Sequence, residues 1–270
     1  MDLRLNGKVA LVTGSSKGIG EAIAMTLARE GAQVVVHGRD RAQADRVVEA
    51  IAAQGGRAFA VLADLTRDAD VERLIGEVAS RVATVDILVN NAGGSGPKSD
   101  WQDAEPAKWI ATYDRNALAA LRVTTGFLPR MRRARWGRII NISSGAATMP
   151  PPTGPDYSAA KAAMNAMTVS LAKTVAAEGI TVNAISPGTI RSAKLEQAFR
   201  NLAFDRGIAP RSAGWDEVQK GVLPLFAQVP LGRVGELDEL ADAVAFLASP
   251  LAGYITGINL RIDGGMSPGF

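Results

Sequence analysis

Cysteine is absent from this 270-residue chain, and histidine occurs once, at His37. Without a thiol there is no disulfide, no iron–sulfur cluster, no thiolate nucleophile and no cysteine-bound zinc. One imidazole cannot build a multi-histidine metal site, and it leaves a single candidate of its kind for general base work. Charge of one sign is also scarce: 30 Lys+Arg against 27 Asp+Glu leave +3. That is far below the basic excess of a nucleic-acid groove or a polybasic membrane patch. No apolar run approaches the ~20 residues of a membrane span, and residues 1–8 show no basic stretch leading into one. The composition predicts a cytoplasmic protein that binds neither nucleic acid nor membrane. Its chemistry must come from hydroxyls, amines, amides, carboxylates or a borrowed cofactor.

Short apolar runs of β character alternate with longer segments of helical period. The runs lie at 9–12, 34–36, 58–62, 87–89, 139–142, 180–185 and 257–262, and the spacing predicts helices over about 18–31, 41–54, 67–82, 106–133, 156–178 and 236–248. Runs that are apolar throughout, separated by helices, read as strands of a parallel sheet covered on both faces, an α/β fold. No repeat, low-complexity tract or change of composition marks a linker, so residues 1–270 read as one domain. The segment 192–230, with Gly and Pro scattered through it, is too long for a plain connection and reads as a lid.

The first run leads into Thr13-Gly14-Ser15-Ser16-Lys17-Gly18-Ile19-Gly20 and then a helix. Glycines let the backbone turn sharply and approach a pyrophosphate, while the helix N-terminus offers free N–H groups to the anion. The candidate contacts of a dinucleotide are Gly14, Ser16, Lys17, Gly18, Ile19 and Gly20. The second strand ends His37-Gly38-Arg39-Asp40. Cofactors with a free ribose 2′-hydroxyl usually meet an acid at this strand end, where Gly38 stands here. Arg39 and Lys17 instead suit a 2′-phosphate, so NADP(H) is favoured over NAD(H). Asp40 is the feature that would suit NAD.

Asn90-Asn91-Ala92-Gly93 closes the fourth strand and Ser143-Ser144 the fifth. Tyr157 and Lys161 follow, four apart at the start of a helix opened by Pro155, and so share a face. These motifs, with Asn116, Pro187-Gly188 and a tail running from Leu231-Gly232-Arg233 through Thr256-Gly257 to Asp263-Gly264-Gly265, resemble the short-chain dehydrogenase/reductase family, and within it the 3-oxoacyl reductase-like members. The likeness spans nearly the whole chain, in the family's order and spacing. It implies a single-domain, Rossmann-type doubly wound fold with a seven-stranded parallel sheet, hydride transfer through a nicotinamide, and a homotetramer.

By this resemblance the catalytic set is Asn116, Ser144, Tyr157 and Lys161. Tyr157 would exchange a proton with the substrate oxygen, Lys161 would lower its pKa and hold the nicotinamide ribose, and Ser144 would donate to the developing oxyanion. Asn116 would hold a water linking Lys161 to solvent. Asp64 and Leu65 would meet the adenine. Asn90, Asn91, Ala92 and Gly93 would line the adenosine side, and Pro187, Gly188, Ile190 and Ser192 the nicotinamide. No metal is implied, and His37 falls beside the adenosine end with no catalytic part.

The substrate reads as a moderately bulky ketone or secondary alcohol, with 3-oxoacyl thioester reduction a leading candidate by the resemblance. Besides Ser144, its candidate contacts are Met149, Phe199 and Trp215, with Trp101 and the loop Gly94-Ser95-Gly96-Pro97 at the rim. The lid aromatics Phe199, Phe204, Trp215 and Phe226 either pack the lid or line an apolar pocket. Arg130, Arg132, Arg133, Arg135 and Arg138 cluster near the end of one helix. They either solvate that terminus or dock an acidic acyl carrier protein, a partner that Glu178 would repel. Small residues on the Tyr157 helix, Ala159, Ala162, Ala163 and Ala166 among them, leave a face for a partner helix. The alternatives are an NAD-dependent alcohol, hydroxysteroid or sugar dehydrogenase of the same fold, or a nucleotide-sensing scaffold without turnover.

Overall fold

The computed structural model describes residues 1–96, 100–102 and 104–268. All seven predicted strands form: β1 (Val9–Val12), β2 (Gln33–Gly38), β3 (Arg57–Leu62), β4 (Ile87–Asn90), β5 (Gly137–Ile142), β6 (Ile180–Pro187) and β7 (Asn259–Ile262). They make one parallel sheet in the order β3-β2-β1-β4-β5-β6-β7, so the chain changes direction across the sheet between β1 and β4. The doubly wound α/β reading holds.

Alternation within each apolar run explains why the strands are buried on both sides. Ala10, Val12, Val34, Val36, Ile87, Val89, Ile140 and Ile142 face one layer. That layer contains α1 (Gly18–Arg29), α2 (Arg41–Ala53) and α9 (Leu237–Ala248). Leu11, Val35, Leu88, Ile139 and Val182 face the other, against α3 (Asp68–Arg81), α5 (Ala119–Ala134) and α6 (Pro155–Val175). Central β4, β5 and β6 are buried along their whole length, whereas edge strand β7 is mostly half-exposed. Strands β1 to β6 thus contribute side chains to two cores, and their carboxyl ends are left to carry polar loops.

Two segments depart from the sequence reading. The single helix predicted over 106–133 is α4 (Pro106–Tyr113), a π-helical turn (Asp114–Leu118) and α5. Asn116 lies within this turn, and its side-chain Nδ2 donates to the carbonyl of Thr112 at 2.8 Å. The extra residue of the π turn brings a buried polar side chain to the site. The segment 192–230, expected to be a lid, contains α7 (Ala193–Asp205) and α8 (Trp215–Phe226), which enclose a small apolar core of their own. Among the described residues no helix is long and apolar enough to cross a membrane.

At the amino edge of the sheet, α5 ends on Arg135 in the left-handed region, and α6 leads through Gly179 at φ +76° into β6. A Cβ on Gly179 would run into the backbone carbonyl of Arg135. Gly207 has φ +66° but faces open space. Gly207→Ala is therefore expected to cost only the left-handed penalty of about 1–2 kcal/mol, and Gly179→Ala clearly more. Urea unfolding of the two variants checks this, and equal losses would contradict it.

Candidate active site

The carboxyl ends of β1, β2, β4, β5 and β6 surround a cavity of about 890 Å³, which the lid borders from one side. Its volume lies in the range of small-molecule and cofactor sites. The loop after β1 is built for close approach. Gly14 adopts φ +65° and Gly18 φ +59°. A Cβ on Gly20 would strike the Gly14 carbonyl and lie 2.8 Å from Ser15 Cα, so the first turn of α1 sits directly on the loop. Gly14, Ser16, Lys17, Ile19 and Gly20 line the cavity; Gly18 shapes the turn without lining it.

At the β2 end, a Cβ on Gly38 would lie 3.0 Å from Ser16 Cβ and Oγ. Any side chain at this position would require Ser16 to give way by a few tenths of an ångström. Asp40 is engaged elsewhere: it caps α2, accepting from Gln43 N at 3.0 Å. Arg46 is tied to Glu21 at 2.7 Å and donates to the Ser16 carbonyl, bracing the loop from behind. Lys17 and Arg39 line the cavity, are exposed, and have no ion-pair partner among the described residues. Two exposed cations thus stand beside the bare strand end, with the Asp64 carboxylate close enough to Arg39 to feel its charge.

Asp64 and Leu65 line the next stretch of wall. Asp64 accepts from the Thr66 amide and hydroxyl at 3.0 and 2.7 Å, and these bonds hold its carboxyl below the usual range. Asn91, Ala92 and Gly93 line the opposite wall. Asn90, expected beside them, does not: it is buried and donates to Thr124 Oγ1 at 3.0 Å and Asn141 Oδ1 at 2.8 Å, beneath the floor.

Ser144, Tyr157 and Lys161 meet at the far end. Ser144 Oγ accepts from the Ala146 amide at 3.2 Å and lies beside the Tyr157 phenol. Burial raises the pKa of that phenol, with the Ser144 hydroxyl working the other way. Lys161 is 3% exposed and donates to the Ile142 carbonyl at 2.7 Å, with Nζ 5.7 Å from the Tyr157 ring centroid. Burial brings its ammonium down to about 8. Asn116 is fully buried: Oδ1 accepts from Gly94 N at 3.0 Å, and Nδ2 donates to Gly94 O at 3.1 Å and to Thr112 O. Its amide thus fixes the strand Gly93–Gly94 that passes over Lys161.

Pro187, Gly188, Thr189, Ile190 and Ser192 form the last wall. Gly188 donates its amide to Ile262 at 2.9 Å, and a Cβ there would hit Asp263. Ser192 Oγ caps α7 by accepting from Leu195 N. The lid residues at the cavity are Leu195 and Phe226. Three expected substrate contacts are displaced. Phe199 is 1% exposed in the lid's own core, Trp215 packs on it with centroids 5.9 Å apart under the Arg191 guanidinium, and half-buried Met149 is not at the cavity wall. Of the proposed rim, Gly94 lines the cavity, Trp101 stacks near Trp109 outside it, and Pro97 lies outside the described residues. Phe226 is the one of the four lid aromatics that lines the cavity, and Arg115 is a cavity residue the sequence reading did not assign, standing in no motif.

The basic cluster lies at the other edge of the sheet. Arg138 is the second residue of β5 and Ser144 follows its end, some six residues or about 20 Å apart. Arg132 pairs with Glu178 at 3.1 Å, Arg135 donates to Ala177 O, and Arg138 is buried on backbone carbonyls. Arg132, Arg135 and Arg138 are thus engaged with groups at the end of α6 and the start of β5.

The family model described as short chain dehydrogenase matches residues 8–202. A 3-oxoacyl-(acyl-carrier-protein) reductase of Pseudomonas aeruginosa is 35% identical over 98% of this chain and 99% of its own length. Among solved structures, L-sorbose reductase of Gluconobacter frateurii, complexed with NADPH and L-sorbose, superposes with a TM-score of 0.91 at 33% identity, covering all of both chains. A 7α-hydroxysteroid dehydrogenase, complexed with NADH and 7-oxo glycochenodeoxycholic acid, gives 0.84 at 32% identity, covering 98% and 96%.

The buried Lys161 has a consequence for stability. Its folded pKa, about 8, is below the ordinary 10.5, so between these values the unfolded chain holds the proton that the folded chain has released. Stability from this group therefore rises with pH across that window. Relative to Lys161→Met, the wild type is expected to gain up to about 3 kcal/mol between pH 8 and 10.5 in urea unfolding. A difference that does not change with pH would contradict it.

Proposed function

The chain belongs to the short-chain dehydrogenase family, and from that membership we propose that it interconverts a ketone and a secondary alcohol with NADP(H). The observation that carries the reading is a single cavity with Ser144, Tyr157 and Lys161 at one end and unpaired Lys17 and Arg39 at the other. The residues fit a phosphorylated dinucleotide: Gly14 and Gly20 form a cradle that a Cβ would fill, and Gly38 lines the cavity beside Lys17 and Arg39 without a side chain of its own. The bound nicotinamide supplies or accepts the hydride. Lys17 and Arg39 hold the 2′-phosphate, Asp64 and Leu65 the adenine, and Lys161 the nicotinamide ribose.

In reduction, Tyr157 gives its proton to the carbonyl oxygen while Ser144 donates a hydrogen bond to the same atom. A phenol whose pKa is raised by burial suits this direction, since it keeps its proton until the oxygen gains negative charge. In oxidation Tyr157 must accept the proton, and the adjacent ammonium of Lys161 favours its phenolate. Asn116 positions the Gly93–Gly94 backbone against Lys161. Leu195 and Phe226 give the substrate end an apolar side.

A small, freely diffusing ketone is the substrate class we favour, because much of the basic cluster that might dock a carrier protein is engaged within the chain. A 3-oxoacyl thioester is the second reading, on the strength of the reductase relatives. The protein acts in the cytoplasm as a homotetramer in this reading. Exposed Ala159, Ala162, Ala166 and Val169 on α6 give a close-packing face for a second copy.

The test is a panel of ketones, sugars and short 3-oxoacyl thioesters with each cofactor. Tyr157→Phe is expected to lower kcat by about 10²–10⁴-fold while NADPH still binds. Near-normal turnover in that variant would refute the mechanism. Wild type is expected to bind NADPH more tightly than NADH, and Arg39→Ala to weaken NADPH about tenfold with little effect on NADH. Equal affinities in the wild type would refute the cofactor assignment.

A further inference from the structure

His37 takes no part in the reaction just described, yet it is among the most constrained side chains near the cavity. It stands near the end of β2, 3% exposed, between the glycine loop and the loop that follows β3. Its main chain is paired with Ser15: His37 N donates to Ser15 Oγ at 3.0 Å, and its carbonyl accepts from Ser15 N at 2.8 Å. Its ring reaches in two directions. Nδ1 lies 2.9 Å from the Gly14 amide, and Nε2 lies 3.2 Å from the Ala63 carbonyl.

The partners decide the protonation state. A backbone amide only donates, so Nδ1 must offer a lone pair; a carbonyl only accepts, so Nε2 must carry the hydrogen. One form satisfies both, the neutral Nε2–H tautomer. Protonation of Nδ1 would turn two donors on each other inside a buried site. Burial accordingly pushes the imidazole down to about 4. The charged groups whose fields reach it, Arg39 at the strand end and Asp64 on the β3 loop, act in opposite directions.

Gly14 is the first glycine of the loop, and Ala63 immediately precedes Asp64 and Leu65. We propose that His37 is a positioning residue, a neutral strut that fixes the spacing between the glycine loop and the Ala63–Asp64–Leu65 segment and so sets dinucleotide affinity. Ser15 anchors the strut's backbone, and the ring spans the end of β2 that bare Gly38 leaves open. The Gly14 amide is thereby withheld from the ligand and used to hold the loop in its left-handed turn. The proposal rests on the NADP(H) reading for its ligand, but the strut itself is a property of the free protein.

Because the chain has one histidine, tag-free ¹⁵N-labelled protein gives the imidazole nitrogens of His37 alone. Without any nucleotide, long-range ¹H–¹⁵N spectra are expected to show a protonated Nε2 and an unprotonated Nδ1, unchanged from pH 8 to pH 5. A ring that is cationic at pH 5.5, or an Nδ1–H tautomer, overturns the strut whether or not any cofactor binds. The ligand side uses NADPH fluorescence and 2′,5′-ADP titration with two variants. His37→Asn keeps an acceptor in the place of Nδ1 but cannot reach Ala63; His37→Phe keeps a ring but bonds neither partner. His37→Phe is expected to weaken both ligands about tenfold, with kcat at saturating NADPH changed less than about threefold, and His37→Asn is expected to recover part of the loss. Wild-type affinity in a folded His37→Phe overturns the proposal, and so does an Asn variant no better than Phe. A wild type with the expected tautomer that binds neither NADPH nor 2′,5′-ADP would instead refute the cofactor reading.

Discussion

The site depends on one clasp where β1 and β4 part. Thr13 Oγ1 donates to the Val89 carbonyl at 3.2 Å and accepts from the amides of Asn91 and Ala92, both at 3.0 Å. Asn91 answers with Nδ2, which donates to the carbonyls of Thr13 and Gly14 at 2.8 and 3.1 Å. A parallel sheet that winds outward in both directions opens a crevice at its switch point. Left alone, the two loops there would present several unpaired backbone groups, each costly if buried. The clasp pairs them with one another and so holds the crevice at a fixed width. The glycine loop hangs from one side of it, and the Gly93–Gly94 strand over Lys161 from the other.

From this joint the polar interior extends under the floor. Asn90 links Thr124 to Asn141, and Asn141 Nδ2 reaches Thr168 on α6 at 2.8 Å. The helix carrying Tyr157 and Lys161 is thereby tied to β4 and β5 by hydrogen bonds as well as by apolar packing. On its other side, Asp156 accepts from Thr112 at 2.6 Å, drawing α4 against the start of α6. Lys161 can be held inside the protein because Ile142 gives it a carbonyl, at the cost of a depressed ammonium pKa. Preorganisation here means that few of the reacting side chains are free to turn away.

Much of this was legible in the residues. Strands buried on both faces leave an unmistakable apolar run, and the glycine loop, the Tyr157–Lys161 spacing and Ser144 each stand at a strand or helix end that the runs locate. The rest was hidden for identifiable reasons. The π turn leaves the helical period of 106–133 almost intact, and it is fixed by bonds from Asn116 to a loop distant in sequence. Asn90 and Asn91 are neighbours of the same type, and only the strand's pleat sends one to the floor and the other to the wall. The lid aromatics share one composition, so nothing in sequence separates Phe199, in the lid core, from Phe226, at the cavity. His37 carries no motif; its role comes from which atoms lie within 3.2 Å of its two nitrogens.

The account stands or falls on hydride transfer within this cavity. The direct measurement is single-turnover incubation of the protein with NADPH deuterated at C4 of the nicotinamide, in separate 4R and 4S preparations, and a ketone panel, with mass spectrometry of the alcohols. The account predicts one deuterium on the carbinol carbon of at least one product, from one of the two preparations. Folded protein that binds NADPH and yields no deuterated alcohol from either preparation would contradict it.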